Sequence, residues 1–255
     1  MKNNKRKAPL KIQFIRNQPA LKIGKTLMIA DLHLGKSHEL WEKGFSLPRQ
    51  AEKFAQRLNK LKKKTKTTRL VILGDIKNRI GFANYEEIKE MPRFFSALEY
   101  KEIIAIKGNH DGGIERVLPE RVKLKDSLCI GDYALTHGHR NIQTKKNTII
   151  IGHNQPHVKF IDKVKAVYTE PVWVLGKLRG RYKGKELIMM PAFNELCGAT
   201  IINQDELLGP IARRMIKKTA RLHLLDGTDI GTIGDLQLEP RVMTPKGVGT
   251  LKWKK

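Results

Sequence analysis

Eight acidic, amide and imidazole side chains follow short apolar segments of this sequence, close to the point where each segment ends. In open α/β sheets, ligands bind beyond the carboxyl ends of the strands. One polar residue at such a point is more often a cap or a turn residue than a ligand. Five coincidences in one order instead predict a common site. The residues are Asp31, His33, Asp75, Asn109, His110, Asp111, His137 and His153.

These residue types favour a particular class of metal ion. Carboxylate, amide oxygen and imidazole ligands without a thiolate suit hard or borderline divalent ions. Cys129 and Cys197 have no other Cys or His at the spacing of a zinc knuckle. A carboxylate that can bridge, flanked by two groups of mixed ligands, suits two ions about 3.5–4 Å apart, as in two-metal phosphoester sites. We therefore expect two divalent ions, with manganese preferred and iron and zinc as alternatives.

The apolar segments that position these residues alternate with amphipathic segments through the first two thirds of the chain. Residues 26–30, 70–73 and 103–106 have the length and composition of buried strands. Apolar side chains repeat at helical spacing over 51–61 and again over 85–98. Strands that alternate with helices predict an α/β fold.

The last third of the chain has a different pattern. From residue 164 onward, shorter strand-like segments alternate with glycine-bearing turns, and residues 203–218 are typical of a helix. Neither a linker rich in Pro, Gly and Ser nor an internal repeat separates this part from the rest. We therefore expect a single domain over residues 1–255, with the motifs within 31–153 and basic strands and a helical excursion within 164–255.

The chain carries a formal net charge of +25 at pH 7, from 50 Lys and Arg against 25 Asp and Glu residues. A basic surface attracts polyanions through counterion release, so nucleic acid or a nucleotide is the expected partner. The alternative interpretation is that the organism's proteins are rich in lysine in general, so that the high net charge does not indicate a specific partner. The basic residues cluster at 2–11, 60–66, 177–185, 213–221 and 246–255.

Composition excludes several classes of protein. With 40% hydrophobic and 29% charged residues, the chain can bury a core and is not typical of a disordered protein. Two cysteines cannot form a disulfide framework, which indicates a reducing compartment. The N-terminus has no apolar signal segment, and no run of 18 apolar residues occurs. We expect a cytoplasmic protein that does not interact with a membrane.

Five motifs resemble the ordered signature of the calcineurin-like metallophosphoesterase superfamily. They are Asp31-Leu-His33, Gly74-Asp75-Ile-Lys-Asn78, Gly108-Asn-His-Asp111, Thr136-His137-Gly-His139 and Gly152-His153. The Asp-Leu-His-Leu-Gly opening and the later Met190-Pro-Ala-Phe-Asn194 resemble an archaeal and bacterial branch that is related to DNA-repair exonuclease catalytic subunits and ligase-associated phosphoesterases. The resemblance implies a four-layer αββα sandwich, in which helices flank two mixed sheets.

The resemblance also implies how the ligands divide between the metal ions. Two cations that share one carboxylate lower the pKa of a bridging water, so that hydroxide exists near neutral pH and attacks the phosphoester. The implied ligands are Asp31 and His33 for the first ion, Asp75 as the bridge, and Asn109, His137 and His153 for the second ion.

Four further residues receive roles beside the metal ligands. His110 would donate a proton to the leaving group, and Asp111 would orient the His110 imidazole. His139 and Arg140 follow His137 closely and are expected to contact substrate phosphate, with an ordinary loop role as the alternative.

One position departs from the family pattern. The family closes its site with Gly-His-x-His, in which both histidines are ligands, whereas this sequence reads Gly152-His153-Asn-Gln155-Pro-His157. The amide oxygen of Gln155 can replace the second imidazole but binds borderline ions less tightly. We expect a weakened first site, completed by Gln155 or by His157.

These inferences predict a metal-dependent phosphodiesterase, nuclease-like, that acts on nucleic acid or nucleotides. A phosphomonoesterase or cyclic-nucleotide hydrolase with the same metal centre is one alternative. A metal-poor, non-catalytic nucleic-acid-binding relative is the other, and only Gln155 favours it.

Overall fold

The N-terminal half of the chain forms the first of two β-sheets in the computed structural model, which describes residues 10–48, 50–161, 164–236 and 238. The six strands are β1 (Ile12–Phe14), β2 (Leu21–Ile23), β3 (Thr26–Ala30), β4 (Arg69–Leu73), β5 (Glu102–Ile106) and β6 (Val122–Lys125). They lie in sequence order across the sheet. Strands β3 to β6 run parallel, so Ala30, Leu73 and Ile106 end at the same edge.

The second sheet is formed by the remaining strands. They are β7 (Ser127–Ile130), β8 (Tyr133–Thr136), β9 (Thr148–Ile151), β10 (Pro156–Ile161), β11 (Val167–Lys177), β12 (Glu186–Met189), β13 (Thr200–Ile201), β14 (Arg221–Leu224) and β15 (Asp229–Thr232). The main path has the order β13-β10-β11-β12-β9-β8-β7, and β14 and β15 extend from β11. Parallel and antiparallel pairs occur in both sheets, which confirms the predicted α/β class with two mixed sheets.

The two sheets pack face to face through one set of apolar side chains. In β3, Met28 belongs to this inter-sheet core, whereas Leu27 and Ile29 belong to the core on the other face of the first sheet. This alternation follows from the two-residue period of a strand. Leu135 and Ile150 supply the second sheet's share of the same core. The sandwich thus aligns the ends of strands from both sheets.

Three α-helices lie among the described residues, and all of them precede β5. They are α1 (Lys36–Glu42), α2 (Ala51–Thr65) and α3 (Tyr85–Ser96). The predicted helices at 51–61 and 85–98 correspond to α2 and α3. Phe54 and Leu58 of α2 and Phe94 of α3 are buried in the core outside the first sheet, and burying a side chain of this kind stabilises a fold by about 1.5–3 kcal/mol.

Two glutamates of α3 also hold the loops that follow β3 and β4. Glu87 forms a capping box with Asn84, in which each side chain accepts a hydrogen bond from the other residue's backbone N–H. The second Glu87 oxygen accepts hydrogen bonds from the backbone N–H groups of Asn78 and Arg79. Glu90 accepts from the backbone N–H of Gly35 at 3.1 Å. The helix therefore supports two loops at the strand ends.

The outer face of the second sheet is covered by short 3₁₀ turns and coil. The helix expected within 203–218 is not formed; 3₁₀ turns at Ala212–Arg214 and Lys217–Thr219 occur there instead. The physical reason is the Gly209-Pro210 pair, since Gly209 adopts a left-handed φ of +77° and proline lacks the N–H that a helix interior needs. Ile211 and Met215 are nevertheless buried against the sheet.

The structure bears on the predicted basic clusters at the termini and on the predicted absence of a membrane-spanning segment. Residues 2–9 of the basic cluster at 2–11, and the whole cluster at 246–255, lie outside the described residues. Within the described ranges, no helix has the length and apolar character needed to cross a bilayer.

Candidate metal centre

The loops that follow the strands at the common edge have unusual backbone geometry. Among the described residues, eight non-glycine residues have a positive φ, and five of them belong to the predicted site region. Their φ values range from +44° to +69°. Such conformations cost free energy and persist where the surrounding structure requires them, as it commonly does at functional sites. The five residues are Asp31, His33, Asp75, His153 and Gln155.

Glycines allow these loops to approach one another. A Cβ on Gly74 would lie 2.2 Å from Nδ1 of His137, and a Cβ on Gly108 would lie 2.2 Å from Oδ1 of Asp75. Both distances are well inside van der Waals contact. Close packing therefore requires glycine at both positions, between the two sheets at Gly74 and between neighbouring strand ends of the first sheet at Gly108.

Asp75 lies at the centre of the site and is buried. Its Oδ1 is 3.3 Å from Nε2 of His137, and its Oδ2 is 3.6 Å from Nε2 of His33 and 4.0 Å from Nε2 of His110. The backbone N–H of His110 also donates to Oδ1 at 3.0 Å. One carboxylate therefore presents each oxygen to a different set of histidines.

Two groups of side chains in the described part of the chain could hold a metal ion. Each group has its ligand atoms within 4.8 Å of one another, and both contain Asp75. The first group adds His33 and His110, and the second adds His137 and His153. Asn109 joins the second group, because its Oδ1 lies 3.1 Å from Nε2 of His137.

Asp31 lies beside the second group and belongs to neither. Its carboxylate accepts hydrogen bonds from the backbone N–H of His153 at 3.1 and 3.2 Å, and its Oδ1 is 3.9 Å from Nδ1 of His137. The implied pairing of Asp31 with His33 in the first group is therefore not seen in this arrangement. The first group contains His110 in its place.

Burial and ion pairing shift the pKa values of these groups in opposite directions. Burial raises the pKa of Asp31 to about 7. Burial also opposes ionisation of Asp75, but the hydrogen bond and charge of His137 and the charge of His33 outweigh it and hold the pKa of Asp75 below its ordinary value. Despite burial, the hydrogen bond and charge of Asp75 raise the pKa of His137 to about 9. Burial lowers the pKa of His33 and of His153 to about 4.

The chemistry of these donors fits a pair of divalent ions. His33 and His153 are neutral at physiological pH, so each has a nitrogen lone pair available for a metal. Nδ1 of His33 is buried and has no hydrogen-bond partner among the described residues. Imidazole, carboxylate and amide groups are the donors that borderline divalent ions accept.

The predicted contact between Asp111 and the His110 imidazole is wrong. Oδ1 of Asp111 accepts from the backbone N–H groups of Ile76 and Lys77 at 2.9 and 3.3 Å, and Oδ2 accepts from the N–H of Gly108 at 2.8 Å. Asp111 is fully buried and joins the loops that follow β4 and β5. Nδ1 of His110 instead contacts the carbonyl oxygen of Asn78.

Gln155, and not His157, lies beside the first group. Nε2 of Gln155 is 2.9 Å from Nε2 of His33. Nδ1 of His157 is 3.1 Å from the backbone oxygen of Gln155, and His157 is in neither metal-binding group. A half-turn of the Gln155 amide exchanges its nitrogen for its oxygen at the same position.

The two predicted substrate contacts lie at the edge of the second group. The ring of His139 is centred 5.2 Å from that of His137 and 6.2 Å from that of His153. Nδ1 of His139 is buried without a hydrogen-bond partner in the described part of the chain. Arg140 is exposed.

A groove of about 220 Å³ opens beside the first group. Its lining includes three residues whose role at the site was not predicted from sequence, Lys36, Glu39 and Cys197. Glu39 and Lys36 form an ion pair at 2.8 Å. These residues have no motif of their own, and they reach the groove only because α1 and the loop after β12 approach the same edge.

The segment Met190-Pro-Ala-Phe-Asn194 supports the loop after β3. The Asn194 side chain donates to the carbonyl oxygens of Leu32 and His33 at 2.8 and 3.4 Å, and the backbone N–H of Phe193 donates to the Ala30 oxygen at 2.8 Å. Its sequence suggested a family resemblance but not this positioning role.

Comparisons with known proteins match this chain both to a family and to solved structures. The profile of the family described as calcineurin-like phosphoesterase matches residues 24–179. Among solved structures, the nuclease MPE of Pseudomonas putida is similar, with 19% sequence identity, a TM-score of 0.51, and coverage of 85% of this chain and 97% of that chain. At this identity the likeness establishes the fold alone. A comparison with curated proteins gave no significant match.

Proposed function

This chain belongs to the calcineurin-like phosphoesterase family, and from that premise we propose that it is a two-metal phosphodiesterase that acts on nucleic acid or nucleotides. The observation that carries the proposal is the position of Asp75, whose carboxylate is shared by two groups of histidines. A carboxylate shared in this way suits two ions at the spacing of two-metal phosphoester sites.

The proposed ligands come from both groups. Divalent ions bound there supply activation of water and neutralisation of the phosphoryl oxygens. The protein's contribution is to hold imidazoles and carboxylates in fixed positions, on loops whose backbone is already strained. The proposed ligands are His33, Asp75, Asn109, His137 and His153, with Asp31 and Gln155 beside them.

His110 is the proposed proton donor to the leaving oxygen. Its Nδ1 contacts the carbonyl oxygen of Asn78, which holds a proton on that nitrogen and leaves Nε2 directed towards Asp75. His110 also lines the groove. With a second proton on Nε2, the imidazolium can act as a general acid. With Nε2 unprotonated, the ring can instead complete the first metal site, and the two roles are separable by experiment.

A phosphodiester of nucleic acid or a nucleotide is the proposed substrate class. The net charge of +25 supports a polyanionic substrate. The similar Pseudomonas putida protein is named a nuclease, which supports the same class. A phosphomonoester substrate would place a dianionic group in the groove and is the alternative outcome of the test below.

The proposal is tested with a panel of substrates in the presence of manganese. Bis-p-nitrophenyl phosphate, p-nitrophenyl phosphate, cyclic nucleotides, and single- and double-stranded DNA and RNA are compared at equal enzyme concentration. We expect the diesters to be hydrolysed faster than the monoester, and EDTA to abolish both activities. Faster hydrolysis of the monoester, or full activity in EDTA, would contradict the proposal.

The Asp75→Asn variant tests the shared carboxylate directly. It should lose activity by several orders of magnitude while it remains folded, because each metal group loses a charged ligand. Asp132→Asn, in the exposed turn between β7 and β8, is the matched control and should be as active as the wild type. Near wild-type turnover by Asp75→Asn with two ions bound would contradict the two-metal proposal.

A further inference from the structure

Two basic clusters that are distant in sequence meet at one end of the second sheet. The backbone N–H of Arg179 donates to the Arg214 oxygen at 2.8 Å, and the N–H of Ile216 donates to the Lys177 oxygen at 2.9 Å. Leu178 and Met215 form an antiparallel bridge between the same segments. We refer to the exposed cations of this region as the basic strip, which consists of Lys177, Arg179, Arg181, Lys183, Arg213 and Arg214.

One carboxylate neighbours the strip, that of Glu186, which lies opposite Lys177 in the pairing of β11 with β12. Within the ranges that the structure describes, none of its six cations lies in an ion pair with a carboxylate. In the cluster at 60–66, by contrast, Lys62 and Lys63 lie 3.5 and 3.8 Å from the Glu99 carboxylate. The positive charge of the strip is therefore left for an external anion.

One chain segment leads from the metal centre to the strip. Gly209 packs against the centre, since a Cβ there would lie 3.1 Å from Cδ2 of His153. The side chain of Asn154 fixes this segment by accepting from the backbone N–H of Leu208 at 2.8 Å and donating to the Leu208 oxygen at 3.1 Å. From Gly209, whose oxygen accepts from the N–H of Arg213 at 3.2 Å, the chain continues directly into the strip.

A second connection runs from the loop after β8 to the other half of the strip. This loop begins at the centre with His137 and includes the exposed Arg140. Two residues after Arg140 in the same loop, the backbone oxygen of Ile142 accepts a hydrogen bond from the Tyr182 hydroxyl at 3.0 Å. Tyr182 lies between Arg181 and Lys183 of the strip. Both connections thus pass over the outer face of the second sheet.

The strip and the metal centre lie at opposite ends of β9 and β12. The strip lies at the amino end of β12, where Glu186 pairs with Thr148 at the start of β9, and the centre lies beyond Ile151 at the other end. A strand of four residues spans about 13 Å. Successive phosphates of one strand of a duplex rise about 3.4 Å along the axis, so the gap corresponds to about four phosphates.

We propose that the basic strip binds the phosphodiester backbone of a nucleic-acid strand several phosphates away from the one held at the metal centre. This inference rests on the proposed function for the position of the scissile phosphate, but not for the binding itself. It makes the substrate a polynucleotide, DNA or RNA, and not a mononucleotide or a small phosphoester.

The test uses a strip variant and a control variant of equal net charge. Both lower the net charge by four and change exposed side chains only. The strip variant carries the substitutions Lys177→Gln, Arg179→Gln, Arg181→Gln and Lys183→Gln. The control variant changes exposed lysines around the first sheet and carries Lys53→Gln, Lys60→Gln, Lys64→Gln and Lys101→Gln.

Binding of fluorescein-labelled dT30 and U30 is measured by anisotropy across a salt titration. For single strands the log–log slope changes by about 0.7 for each phosphate contact. We expect the strip variant to have a slope shallower by up to about 2.8, and the control variant to have the wild-type slope. Equal slopes for the two variants would overturn the inference, as would undetectable binding by the wild type. Preference for one of the two strands identifies DNA or RNA as the ligand.

Hydrolysis separates this inference from the proposed function. The ratio of strand hydrolysis to bis-p-nitrophenyl phosphate hydrolysis should fall at least tenfold for the strip variant and stay unchanged for the control variant. If the wild type hydrolyses neither substrate, the proposed function fails, while the salt slopes still decide the inference. If the strip variant does not fold, the double variant Lys177→Gln and Lys183→Gln provides the same comparison with half the change in slope.

Discussion

At the scale of single residues, His110 has two possible partners, a leaving group and a metal ion. If it protonates the leaving oxygen, His110→Ala should lower the rate by about 10²–10⁴ with an alkoxide leaving group and much less with p-nitrophenolate, which needs little protonation. The expectation follows from its position, with Nδ1 against the Asn78 oxygen and Nε2 towards Asp75. Rates are compared on dinucleotide and bis-p-nitrophenyl phosphate substrates.

The same variant distinguishes the two roles through its metal requirement. A proton donor can be removed without a change in the manganese concentration that gives half-maximal rate, whereas a ligand cannot. Equal losses on both substrates together with a higher manganese requirement would assign His110 to the first metal group.

We expect the Gln155 side chain to determine how tightly the first metal group binds its ion. Its amide lies 2.9 Å from Nε2 of His33, where the family pattern has an imidazole. Gln155→His should lower the manganese concentration for half-maximal rate, because imidazole binds borderline ions more tightly than a neutral amide oxygen does. The left-handed backbone at this position, with φ of +45°, is one that histidine tolerates better than most residues.

His157→Ala is the matched control for Gln155→His. Among the polar contacts described, the His157 side chain contacts only the backbone oxygen of Gln155, so its loss should leave the metal titration unmoved. A shift caused by His157→Ala, together with none caused by Gln155→His, would reverse the assignment.

The predicted site residues differ in what decides their contacts. The positions of His33, Asp75, His137 and His153 follow from strand ends, which a short apolar segment already indicates. The contacts of Asp111 depend on two loops from different strands, and its carboxylate satisfies backbone N–H groups of both. A buried carboxylate takes the donors that the packed loops leave unpaired, and a linear motif does not specify those donors.

At the scale of elements, the close approach of the two sheets depends on glycines. Gly74→Ala should destabilise the protein and displace the His137 ring, because the new Cβ would lie 2.2 Å from its Nδ1. Gly44→Ala is the matched control: Gly44 has a similar φ of +89°, but no atom lies within 4 Å of its added Cβ. Both variants therefore incur the left-handed backbone penalty, and only the first incurs the clash.

Urea denaturation and metal binding measure the difference between these two variants. We expect Gly44→Ala to lose about 1 kcal/mol of stability, and Gly74→Ala to lose clearly more and to bind manganese more weakly. Equal losses of stability, with metal binding intact in both variants, would contradict the prediction. They would show that the two sheets can move apart at Gly74 without a loss of folding free energy.

Prediction of elements succeeded where one periodicity dominated. The apolar positions of α2 repeat at helical spacing, and Phe54, Leu58 and Leu61 are buried as expected. The segment 203–218 has enough apolar residues for a helix, but Gly209 turns the chain towards His153 and Pro210 prevents a helix from continuing through this point. The segment still buries Ile211 and Met215 against the second sheet, but the tertiary contact of Gly209 with the metal centre, and not local composition, determines its backbone conformation.

At the scale of the whole molecule, the buried histidines link global stability to pH. Burial, followed by the charge of His137, lowers the pKa of His139 to about 4 from an ordinary value near 6.5. The folded state therefore excludes a proton that the unfolded state accepts. The resulting contribution to stability is fully present above pH 6.5 and is lost as pH falls from 6.5 towards 4. Because His139 is in neither metal group, its contribution can be measured without loss of a ligand.

Replacing His139 should reduce the loss of folding stability between pH 6.5 and pH 4. Other groups of the centre act in both directions, since the pKa of Asp31 is raised to about 7 and that of His33 is lowered to about 4. They are present in both proteins, so the comparison of wild type with His139→Asn reports mainly the His139 proton, with a smaller change at His153, whose pKa the His139 charge also lowers. Urea unfolding of the EDTA-treated proteins at pH 7.5 and pH 4.5 should show a smaller loss of stability for the variant. Parallel losses would mean that the His139 imidazole takes up its proton as readily in the folded protein as in the unfolded chain.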